Sequence, residues 1–114
     1  MNLLLIENNP EFSSVFEPYF YEYGHTVVVV CSAEEAGVAA RNWRPDAILI
    51  GCPHPGLRHT VSRIRKEPSL GALPVIVLSC NPDDRAEGAS AFIDKSALLS
   101  EMEKQILKAA GAAA

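Results

Sequence analysis

The side chains best suited to chemistry lie just past apolar runs. Glu7 and Asn8 follow residues 3–6, and Gly51, Cys52 and His54 follow 46–50. Ser79 and Cys80 stand at the end of 74–79, and Lys95 lies just past 91–93. Cys52, Cys80 and His54 together suggest a soft-metal or redox site. They are only three ligands, and their spacing is unlike a zinc pattern, so small buried thiols beside a glycine are the simpler reading. With Cys31 the cysteines number three, an odd count that points to reduced thiols. Ser79 and His54 lack the Gly-x-Ser-x-Gly turn and the acid partner of a hydrolase. No phosphate-cradling glycine loop follows Ile6, which argues against nucleotide or flavin binding. Tyr19, Phe20, Tyr21 and Tyr23 could stack on a ligand, but three of the four fit a core stripe, leaving Tyr21 exposed.

Alternating elements must position these groups. Residues 3–6 form a continuous apolar run of strand length, as expected of a strand buried on both faces. Asn9 and Pro10 start a helix as cap and first residue. Its stripe is Phe12, Val15, Phe16, Tyr19, Phe20 and Tyr23, with Pro18 expected to kink it and Gly24 to stop it. A β-branched second strand covers 26–30. Ser32 and Glu35 form a capping box for an alanine-rich helix over 33–42, with Ala36, Val38, Ala39 and Ala40 suited to close packing. The Arg44-Pro45 step ends that helix. A third strand covers 46–50, a helix runs from Leu57 to about Lys66, and a fourth strand covers 74–79. A short fifth strand at 91–93 precedes a last helix over 97–110, with Leu98, Leu99, Met102, Ile106 and Leu107 facing inward. Residues 1–110 are read as one domain and 111–114 as a frayed tail.

This alternation makes an α/β fold: a doubly wound, five-stranded parallel sheet with helices on both faces. Right-handed crossovers favour the order 2-1-3-4-5. The ends of strands one and three then flank the switch in winding direction, where ligands bind. Glu7, Asn8, Gly51, Cys52, Ser79, Cys80 and Lys95 gather there.

The set, in order, resembles the receiver domain of bacterial response regulators, the flavodoxin-like architecture of the CheY-like family, and the match covers nearly the whole chain. Leu4-Leu5-Ile6-Glu7-Asn8-Asn9-Pro10 is similar to the family's first strand and acidic pair. Arg44-Pro45-Asp46-Ala47-Ile48-Leu49-Ile50 matches the third strand, and Pro55-Gly56 matches the loop after the phosphoacceptor. The segment 74–79 matches the strand that ends in the switch hydroxyl, Ser79. The segment 88–95 matches the one that carries the switch aromatic, Phe92, and the lysine, Lys95.

In that family an aspartate takes the phosphoryl group, a pair of acids holds Mg²⁺, and the lysine and hydroxyl hold the phosphate oxygens. At the aspartate this chain has Gly51, and the acid pair has become Glu7 and Asn8. The resemblance therefore implies a degenerate pseudo-receiver: no cofactor, Mg²⁺ binding weak or absent, and Glu7, Asn8, Gly51, Ser79, Phe92 and Lys95 as a vestigial phosphorylation pocket. A direct Glu7–Lys95 ion pair is expected to replace metal and phosphate. Ser79 and Lys95 are 16 positions apart, fewer than is usual in the family, and the polar stretch between them has no apolar stripe. The fourth helix should be shortened or lost. Exposed apolar surface there, Phe92 included, is the expected contact region, with Phe92 held in one state.

The expected function is non-enzymatic two-component signalling through protein contacts, with a sensor kinase, an output domain or a second copy as partner. The alternatives are an atypical receiver phosphorylated at Glu7 or Ser79, and a ligand or redox sensor using Cys52 and Cys80. With 114 residues, a net charge of −4 and only the short basic stretch 63–66, nucleic acid is not an expected partner. No apolar run approaches the ~20 residues of a membrane span. The N-terminus lacks a basic segment, so a cytoplasmic location is expected.

Overall fold

The computed structural model describes residues 1–111. Nine elements follow one another along the described residues: β1 (Asn2–Ile6), α1 (Pro10–Glu22), β2 (Thr26–Val30), α2 (Ala33–Ala39), β3 (Ala47–Gly51), α3 (Leu57–Lys66), β4 (Val75–Ser79), β5 (Ala91–Asp94) and α4 (Leu99–Gly111). The strands form one parallel sheet in the order β2-β1-β3-β4-β5. Side chains alternate across a strand, so each strand feeds two cores. Leu4, Ile6, Ile48, Ile50, Val75 and Val77 face α2 and α3, while Leu3, Leu5, Leu49, Ile76, Leu78 and Ile93 face α1 and α4. This two-sided burial is why the strands read as unbroken apolar runs.

Asn9 caps α1, its side chain accepting from the Glu11 N–H at 3.0 Å, with Pro10 at the first helical position. The helix continues through Pro18 to Glu22. Its buried stripe is narrower than the sequence pattern suggests. Phe16 and Phe20 are buried and stacked at 4.1 Å, but Val15 is 58% exposed and Tyr23 57%. Val15 stands about 100° around the helix from Phe16, and Tyr23 is already the C-cap. Tyr21 is exposed as expected.

In α2, Ser32 caps as expected, but Glu35 reaches past Ser32 to accept from the Cys31 N–H. The helix ends at Ala39 rather than 42, because the chain turns there to pack Trp43 on the core, and Val38 points outward. The last helix begins at Leu99 rather than 97, after a turn in which Asp94 accepts from the Ser96 N–H and hydroxyl. Leu98 is exposed and Leu107 39% exposed, contrary to the inward stripe. Burial follows Met102, Ile106 and Ala110, and Leu107 is one position off that row. Gly111 closes α4 instead of fraying, and the rest of the expected tail lies outside the described residues.

No helix forms between β4 and β5. Residues 80–90 run as turns held by side chains: Asp84 accepts from the N–H groups of Cys80 and Asn81, and Asn81 from that of Asp83. Arg65 of α3 clamps the segment, donating to the carbonyls of Gly71, Leu73 and Gly88. Among the described residues no helix is long and apolar enough to cross a membrane.

Candidate functional site

β1 ends at Ile6, and the next residue, Glu7, turns its carboxylate under the end of β3. The carboxylate is only 2% exposed. Oε2 accepts from the Asn9 N–H at 3.0 Å, and Oε1 lies 2.7 Å from Lys95 Nζ, placed for charge attraction rather than a hydrogen bond. Lys95 arrives from the turn after β5. Its ammonium donates to the Cys52 carbonyl at 2.6 Å and sits 4.5 Å above the Phe12 ring. The buried cation thus has a carboxylate, a carbonyl and a π-face as partners, which together offset the loss of its hydration.

Gly51 completes the arrangement by having no side chain. A Cβ there would collide with Glu7, with the carboxyl carbon only 2.7 Å away. The Glu7 carboxylate fills the space from which a side chain at 51 would extend. Glu7, Gly51 and Lys95 are therefore brought together as the sequence suggests, with Cys52 and Phe12 as added partners. Asn8 is not brought in: it is exposed and lines the neighbouring groove with His54 and Thr60. Ser79 contributes only its carbonyl, which accepts from the Lys95 N–H at 2.9 Å. Phe92 is half-buried on the opposite side, its ring under the Arg85 guanidinium at 4.5 Å.

Around this centre, Cys80 Sγ donates to the Cys52 carbonyl at 3.0 Å. Cys52 is buried, and burial, aided by Asp84 and Cys80, pushes its thiol up to about 11. It is a poor nucleophile at neutral pH. His54 bonds Thr60 through Nε2 at 2.8 Å, and burial holds its imidazole below the ordinary range, with the Glu7 charge opposing. Among the described residues, no three His, Cys, Asp or Glu side chains converge as a metal site.

Arg65, Phe12 and Arg85 have parts here that sequence reasoning missed. Their partners are remote in sequence or are backbone carbonyls, which carry no residue-type signal.

The overall fold matches a group of solved structures. One is the receiver domain of a sensor histidine kinase from Pseudomonas aeruginosa, with a magnesium ion coordinated in its active-site cleft. It is 27% identical over 96% of this chain and 97% of that one, with a TM-score of 0.82. The chain has the receiver fold. The receiver domain of a histidine kinase from Syntrophus aciditrophicus aligns at 22% identity over 97% and 90% of the two chains, TM-score 0.81. The chemotaxis response regulator CheY4 of Vibrio cholerae aligns at 16% over 95% and 97%, TM-score 0.77. No protein-family model and no curated protein matches the sequence.

A receiver's Mg²⁺ does not fit the residues of this one. A hard cation needs several oxygen ligands. Here Glu7 is the one carboxylate against Gly51, its two oxygens already engage Lys95 and the Asn9 N–H, Gly51 offers no side chain, and Asp94 at the rim is engaged by Ser96.

Proposed function

We propose that this chain is a non-phosphorylatable receiver-type module, a non-enzymatic element of two-component signalling that acts through protein contacts. One observation carries the reading: the Glu7 carboxylate occupies the space above Gly51 and is neutralised by Lys95. The pocket supplies no nucleophile at 51, and the lysine that could hold a phosphate oxygen is already committed inside the protein. Regulation then lies in which partner is bound and in how much protein is present. A sensor kinase or an output domain is the natural class of partner, given the receivers it resembles.

The alternative acceptors are poorly placed. Glu7 is buried under Lys95, and acyl phosphate formation there would break that pair. Ser79 has no base within its hydrogen bonds among the described residues. The test is incubation with acetyl phosphate and Mg²⁺, read by intact mass, and beryllofluoride with Mg²⁺, read by NMR. Unchanged mass and spectra are expected. A phosphorylated product, or a saturable spectral change, overturns the reading.

A further inference from the structure

An open groove of about 750 Å³ runs between α3 and residues 85–88 of the helix-free crossover. The half-buried ring of Phe92 forms its apolar part. Arg58, Lys66 and Arg85 are exposed on its sides, with Glu87 as the one acid. Arg65 also lines it but is used internally, on the carbonyls of Gly71, Leu73 and Gly88. Arg58 and Lys66 make no hydrogen bond or ion pair among the described residues. The Arg85 guanidinium donates only to the Asp84 carbonyl and otherwise lies over Phe92. The sign of this cluster is opposite to that of the molecule, whose net charge is −4.

We propose that this groove docks an acidic protein segment that carries an apolar side chain. Carboxylates of the segment meet Arg58 and Lys66, its apolar side chain packs on Phe92, and Arg85 bridges the two. Aromatic and arginine side chains at the centre of a patch, with charge at the rim, are what a protein partner uses. A nucleic acid is the competing polyanion, but its long backbone would have to cross the acidic remainder of the surface. The inference rests on reading the chain as a protein-binding module.

The experiment is an NMR titration of the ¹⁵N-labelled full chain with a short peptide mixing Glu and Asp with Leu and Phe. The same peptide with Gln and Asn for its acids, and a single-stranded oligonucleotide, serve as controls. Saturable shifts confined to residues 58–66 and 85–92 are expected with the acidic peptide, weakening as salt rises. R58E/K66E should reduce affinity by about tenfold or more, and Phe92→Ala should also weaken it, with a dispersed spectrum showing that each variant is folded. No saturable shift, equal binding of the neutral peptide, indifference to R58E/K66E, or equal binding of the oligonucleotide overturns the proposal. The acetyl phosphate assay separates the two failures. A chain that becomes phosphorylated yet docks the peptide loses the functional reading and keeps the groove; an inert chain blind to the peptide does the reverse.

Discussion

Glu7 satisfies three demands at once: it caps the turn at Asn9, neutralises Lys95 and fills the void at Gly51. Glu7→Gln leaves a buried ammonium without its counter-charge and should cost about 3 kcal/mol, the lower end for a broken buried pair because the Cys52 carbonyl and Phe12 remain. Urea denaturation of E7Q, K95M and the double variant checks this. The double variant should be far less destabilised than the two singles summed, and simple additivity would contradict the pair. Gly51→Asp should cost about 2 kcal/mol through overpacking and like charge, and adding Glu7→Asp, which withdraws the carboxylate by one methylene, should recover part of it. At Cys52 burial disfavours the thiolate, so the folded group ionises later than the unfolded one. Stability is unaffected while both are protonated, then falls as pH rises above about 8.5, the unfolded value. Iodoacetamide at pH 8 should label the exposed Cys31 and Cys80 and spare Cys52 until the protein unfolds. Sequence alone makes Gly51 conspicuous and puts Glu7 and Lys95 at one sheet edge. It cannot tell that Glu7 would occupy the missing side chain's space, because that depends on the path of the backbone after β1.

Among the elements, the crossover 80–90 departs furthest from the rest of the fold. Its lack of a helix is legible in its polar, proline-containing sequence. What holds it is not legible, because Arg65 reaches carbonyls at 71, 73 and 88, and carbonyls look alike in every residue. Arg65→Ala should cost about 3 kcal/mol, and Arg65→Lys should rescue little, since an ammonium cannot reproduce the guanidinium fork. Hydrogen exchange should quicken first at residues 86–90. Unchanged protection there in R65A would refute the clamp. The helix boundaries were less legible than the strands. Val15 and Leu107 are apolar and correctly spaced for a stripe, yet both lie off the row that meets the sheet. A strand buried on both faces tolerates no such ambiguity, and the strand positions follow the apolar runs closely.

At the scale of the molecule, order and winding of the sheet were readable from the alternation of elements and from the resemblance of five short segments. Identities of 16–27% accompany TM-scores of 0.77–0.82, so alternating burial rather than residue identity carries this fold. Because the cation at the centre is covalently part of the chain, thermal stability should not respond to Mg²⁺ or to its removal by chelator. An ion held at a hundred times its Kd would add about 2.7 kcal/mol and raise Tm by several degrees, which calorimetry would detect. The missing helix has a consequence for how the chain reaches this state. Parallel strands must be joined by closing a loop, and β4 is joined to β5 by residues 80–90, about half the length of the 52–74 connection between β3 and β4. The shorter closure is cheaper by about 0.6 kcal/mol of chain entropy. The C-terminal edge of the sheet can therefore assemble early, and the slower search falls to the longer connections on its N-terminal side.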